Sequence, residues 1–161
     1  MMDPYLIVLI ITLIPWIELR GSIPIGILIL GLDPTLVFVT AVVANTLVAI
    51  PVYLGLEFLY PYFKRFGVVK RIVEGARKKG ESKVKKYGVP GLALFVGVPL
   101  PVTGVWTGTL IAWILHMDLK KAILALFLGV LIAASIITVL SLTLEEALFP
   151  IFGLSTNVPL F

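Results

Sequence analysis

Apolar and polar positions alternate in long blocks along this chain, with mostly hydrophobic stretches from about Tyr5 to Leu32, Thr35 to Tyr60, Val89 to His116 and Ala122 to Leu144. Each exceeds the ~20 residues that a helix needs to cross a bilayer. Two of the four are not simple. The first is broken by Pro15, Glu18, Arg20, Gly21 and Pro24, and the third by the run Val98, Pro99, Leu100, Pro101, Val102, Thr103, Gly104. Prolines remove a backbone donor and push the preceding residue toward extended conformations, so neither stretch reads as one rod. A continuous helix of ~28 residues would also be about 42 Å long, too long for a ~30 Å hydrocarbon core without heavy tilt, whereas two half-helices around a break fit.

Composition sharpens this picture. Sixty per cent of the 161 residues are hydrophobic and only 14% charged, with a mean hydropathy of +1.12, the signature of an integral membrane protein. The N-terminal stretch is kept as mature structure, because it has no basic flank and is too long and too interrupted for a cleaved signal. Cysteine is absent, which removes disulfides, thiolate metal sites and cysteine nucleophiles. Glutamine is absent and asparagine occurs only at Asn45 and Asn157, a depletion that points to a thermophile.

Charge fixes an expected topology. Ten of the 13 basic residues lie between Lys64 and Lys86, where only Glu74 and Glu81 oppose them, so this connector carries +8 and the rest of the chain −4. The positive-inside rule makes it cytoplasmic. Val69, Ile72, Val73 and Ala76 recur at helical spacing within it, the pattern of an amphipathic helix on an anionic leaflet, or of a plain topology anchor. Aromatic residues flank the connector instead of interleaving with its charges, which argues against nucleic acid. Lys120 and Lys121 follow the third stretch and belong on the same side, so that stretch must enter and leave from the cytoplasm.

The expected fold is therefore an all-α integral membrane protein of two inverted repeats. Each is a re-entrant helical hairpin plus a transmembrane helix: hairpin 5–32 and span 34–60, then a basic cytoplasmic connector 61–88, then hairpin 89–117 and span 119–144, with an interfacial tail 145–161. Asp33 and Asp118 are placed to cap the two spans. A bundle of four kinked spans is the alternative architecture.

Candidate chemistry gathers at the breaks. An ionised side chain at bilayer depth costs at least ~2.5 to 3.5 kcal/mol, so Glu18 and Arg20 mark either a working site or a structural ion pair. On a regular helix, residues two apart face different ways; in a broken segment they converge. Arg20 offers an anion anchor and Glu18 a proton carrier. In the second break Thr103 and Thr107 offer hydroxyls, and Gly104 and Gly108 serve either a turn or helix packing. Trp106 could wall a cavity, while Trp16 and Trp113 read as interfacial anchors. His116 has no second metal ligand near it, and Asn45 is expected to hydrogen-bond another helix. No catalytic constellation, metal cluster or phosphate loop is present, so neither an enzyme nor a cofactor is expected.

The segments Ile17 to Gly26 (Ile-Glu-Leu-Arg-Gly-Ser-Ile-Pro-Ile-Gly) and Val98 to Gly108 resemble the small multidrug export protein family, across most of the chain. That family is in turn similar to the DedA and VTT-domain membrane proteins, which carry two opposed re-entrant hairpins and move lipid phosphates or phospholipids. The resemblance implies a substrate site at Glu18, Arg20, Pro24, Pro99, Pro101, Thr103 and Gly104, to which the break chemistry adds Trp106 and Thr107. One departure stands out: the DedA pattern has an arginine in the second hairpin, and Pro99 to Gly108 contains no basic residue. The leading expectation is a transporter of an amphiphilic anion such as a lipid phosphate, through a midplane cavity at the hairpins. A proton-coupled small-molecule exporter is the alternative, and a non-transporting scaffold the third. Membrane lipids, the substrate, protons and a second copy of the chain in a homodimer are the expected partners.

Overall fold

A computed structural model of the chain describes residues 2–100 and 103–152, all of whose regular elements are helical. In order these are α1 (Pro4–Leu13), α2 (Glu18–Pro24) running into a π-helical turn (Ile25–Ile29), α3 (Pro34–Phe63), α4 (Gly67–Gly97), α5 (Val105–Ile114) and α6 (Leu119–Phe152). Pro101, one of the expected site residues, lies outside the described residues.

Two helices are long and apolar enough to cross a bilayer, α3 over Pro34–Phe63 and α6 over Leu119–Ala147. The first and third hydrophobic stretches are broken. With 10 residues each, α1 and α5 reach only about 15 Å at ~1.5 Å per residue, half of a hydrocarbon core. The apolar Tyr87–Gly97 part of α4 is equally short. Four unbroken rods are therefore not what this sequence forms.

Many large apolar residues face outward while several polar ones are buried. On α3, Leu47 and Phe58 are 56% and 69% exposed, while Ala41 and Asn45 are fully buried. Such extended apolar exposure has no place in water and suits lipid. Together with the family assigned below, it makes this a membrane protein.

Two compact units divide the chain. The first holds α1, α2 and α3 through Asn45, with α6 from Leu131; the second runs Thr46–Val130. In the first unit Asp3 caps α1 by accepting from Tyr5 N (2.9 Å), with Pro4 at the first helical position, where a missing donor is harmless. The helix stops at Ile14 (φ −74°, ψ 123°), pushed into extended backbone by Pro15. The chain returns through α2 and the π turn, swings through Gly31 at φ +60°, and re-enters a helix at Asp33, whose Oδ1 accepts from Leu36 N (2.9 Å). Gly26 is the close-packing point: a Cβ there would sit 2.9 Å from Val37 and 3.1 Å from Val8.

The second unit repeats that punctuation. A kink at Gly88 (φ 39°, ψ −127°) separates the basic part of α4 from its apolar end. This end stops at Val98 (φ −75°, ψ 118°), before Pro99, in nearly the geometry of Ile14. After α5, His116 takes φ +53° where the first unit has Gly31, and Asp118 Oδ1 accepts from Lys120 N (3.0 Å) to start α6. Gly108 packs α5 against Val96 of α4 and Leu126 of α6, and Gly129 of α6 lies against the Ala93 carbonyl. Of the two readings open for Gly108, the structure has helix packing.

Three elements depart from expectation. Glu18–Pro24, read as part of a broken segment, forms the short helix α2, with Pro24 in its last turn and a π turn following. Trp113 is not an interfacial anchor: it is buried, edge-on to Tyr60 with ring centroids 5.1 Å apart. Helix α6 continues through Glu145 and Glu146 to Phe152, well past the expected end of the span, since nothing before Pro150 interrupts it.

Candidate functional site

The chemistry concentrates at the start of α2. Glu18 is the first residue of that helix and is held at φ +50°, a backbone region uncommon for a residue with a Cβ. This twist settles the facing problem. Glu18 and Arg20 would diverge on a regular helix, yet Arg20 Nη1 lies 3.1 Å from Glu18 Oε2 in a charge-assisted hydrogen bond. The Glu18 side chain is 4% exposed and that of Arg20 19%, so the carboxylate is enclosed and the guanidinium reaches toward the edge.

The surroundings explain why the turn holds. Gly21 lets the Ile17 side chain fold onto the helix, in space that a Cβ would occupy. Leu19 and Ile23 are buried beside the pair. Thr12 of α1 ties the two arms together: its Oγ1 donates to the Val8 carbonyl at 2.7 Å and lies 2.6 Å from Ser22 Oγ, both hydroxyls being fully buried. The turn of Ile14 to Ile17 stays open to the outside, with Trp16 89% exposed. Thr12 and Ser22, two hydroxyls ten positions apart in a mostly apolar setting, are the signal in the sequence for this tie.

The second tip is neutral. Thr103 shares its hydroxyl between the carbonyls of Val98 (2.7 Å) and Leu100 (2.9 Å), so that side chain is engaged in closing the turn. Pro99 lies in this turn, Gly104 caps α5 and is buried, and Trp106 and Thr107 are half-buried in the first turn of α5. Of the nine expected site residues, Glu18 and Arg20 are brought together with Pro24 at the far end of the same short helix. The others described here form their own cluster in the second unit. That unit also holds a cavity of about 320 Å³ lined by Leu92, Phe95, Ile111, Leu115 and Met117, with no charged side chain in it. Among the described residues no group of three or more metal-ligating side chains occurs.

The segment that opens at Glu18 is also where a known family begins to match. The family model described as "Putative small multi-drug export protein" covers residues 18–136, about three-quarters of the chain. The chain belongs to this small multi-drug export family. No curated protein and no solved structure matches it. In this member of the export family the matched region runs from the Glu18–Arg20 pair through α3 and into α6, ending at Ile136.

Proposed function

We propose that this protein is a membrane transporter that exports small cationic or hydrophobic molecules, with Glu18 as the coupling carboxylate and Arg20 as its resting counter-ion. The observation that carries the reading is the enclosed Glu18–Arg20 pair at 3.1 Å within a short apolar hairpin of an export-family chain. Intramembrane charges persist where they do work or pair, and this pair is arranged to do both. A proton or a cationic solute arriving at Glu18 competes with Arg20 for the same carboxylate, so the two cargoes exclude each other. Such exclusion is what exchange of solute for protons requires.

The lipid-phosphate expectation receives no support from the family. It also meets a physical obstacle, because an anion would have to pull Arg20 away from Glu18, and the second tip has no described cation to replace it. The same proposal takes the short hairpins α1–α2 and α4–α5 as re-entrant, entering from opposite faces, with the basic part of α4 in the cytoplasm. Half-bilayer helix lengths, Lys120 with Lys121, and the recurring punctuation support it.

The test is ethidium movement into or out of proteoliposomes under an imposed pH gradient. Wild type should move the dye, Arg20→Lys should retain part of that flux, and Glu18→Gln should have none. A folded Glu18→Gln variant with wild-type flux would overturn the coupling role.

A further inference from the structure

Asn45 is fully buried near the middle of α3, and neither its Oδ1 nor its Nδ2 has a hydrogen-bond partner. It lies 11 residues after Pro34, about 17 Å along the helix and thus near the centre of a ~30 Å core. The expectation that it bonds a neighbouring helix is not met. Buried amides in hydrocarbon are otherwise satisfied, since each unmet group bears its full desolvation penalty.

A second polar group in the same unit behaves alike. Hydroxyls on these helices turn back to the carbonyl four residues earlier, as Thr12, Ser135 and Ser141 of this unit do. Thr138 of α6 does not, and its buried Oγ1 has no partner. A threonine that forgoes the back-bond open to it in a helix leaves its hydroxyl's bonding capacity unmet, as the Asn45 amide's is.

We propose that Asn45, with Thr138, is packed shut in this conformation and lines a hydrated stretch of the transport path when the transporter opens, hydrogen-bonding an uncharged group that is donor and acceptor at once. This deepens the exporter reading above and rests on it. An amide offers one donor face and one acceptor face, so a metal or alkali cation would satisfy Oδ1 and leave Nδ2 stranded. Water, or a hydroxyl or amide on the transported molecule, satisfies both. The neighbouring positions of the same stripes, Ala41 on α3 and Ala134 on α6, are equally buried but apolar. They serve as dry references.

The chain contains no cysteine, so single-cysteine variants report one position each. Asn45→Cys, Thr138→Cys, Ala41→Cys and Ala134→Cys would be reconstituted and treated with a charged, water-soluble methanethiosulfonate reagent. A thiol in apolar surroundings is held protonated, and each unit of raised pKa removes thiolate about tenfold, so positions 45 and 138 should label at least ~10-fold faster than 41 and 134. Slower labelling at 45 in the presence of ethidium identifies the solute as the occupant; unchanged labelling identifies water; both uphold the proposal. Equal, slow labelling at all four positions would overturn it. Should Asn45→Cys fail to fold, Thr138→Cys against Ala134→Cys decides alone. Labelling is read without flux, so a negative result here leaves the Glu18 experiment standing, and a loss of flux there does not alter the labelling rates.

Discussion

The two helical hairpins share their punctuation and differ in chemistry. Both first arms end on an extended residue before a proline, Ile14 and Val98, and both return arms leave through a left-handed residue two positions before a capping aspartate. At the first tip a carboxylate and a guanidinium are enclosed together, whereas at the second Thr103 folds its hydroxyl onto the turn's own carbonyls. The shared features follow from steric rules that any sequence with that punctuation obeys. The difference is where selection for function has room to act, and on the proposed function the working charge is in the first hairpin.

Several substitutions would break or sharpen this comparison. The largest effect is expected from Arg20→Met, which leaves the Glu18 carboxylate buried without its cation; removing one partner of such a pair costs about 3 kcal/mol or more. Thermal unfolding in detergent would read it, and the double variant Glu18→Gln with Arg20→Met should recover most of the loss. Thr103→Val at the other tip should cost far less, about 1 kcal/mol for a lost turn hydrogen bond. Equal losses at the two tips would remove the asymmetry.

Packing glycines come next. A Cβ at Gly129 would stand 2.7 Å from the Ala93 carbonyl, which as backbone cannot swing aside, so Gly129→Ala should cost about 2 to 3 kcal/mol by overpacking. Gly26→Ala meets only valine side chains at 2.9 to 3.1 Å and should cost about 1 kcal/mol. Of similar size are the effects at the two left-handed residues, where the units make opposite choices. Replacing exposed His116 by glycine should raise stability by about 1 kcal/mol, and Gly31→Ala should lower it by a similar amount, because only glycine takes that backbone without steric penalty. Finally, Asp33→Ala and Asp118→Ala should each cost about 0.5 to 1 kcal/mol as helix caps, equally in the two units.

Much of this architecture was legible in the residues. Pro15 and Pro99 announced both breaks, Asp33 and Asp118 both helix starts, and the placement of charge singled out Glu18 and Arg20. What was illegible depended on contacts distant in sequence or on single dihedral angles. That Glu18 and Arg20 meet while α2 remains helical depends on the φ of one residue, which no spacing rule supplies. Trp113 has the composition of an interfacial anchor, and its burial with Tyr60 of α3 packed edge-on against it depends on contacts distant in sequence. Asn45 was expected to find a helix partner because most such residues do; the absence of one is a property of the packed structure alone.

In the proposed mechanism charge at the first tip, and not hydroxyl chemistry at the second, drives transport. Proteoliposomes carrying Glu18→Gln or Thr103→Val, matched for folded protein, decide it by initial rates of pH-driven ethidium flux. The account predicts no flux above empty vesicles for Glu18→Gln and near-wild-type flux for Thr103→Val. Retained flux in the first with loss in the second would contradict it.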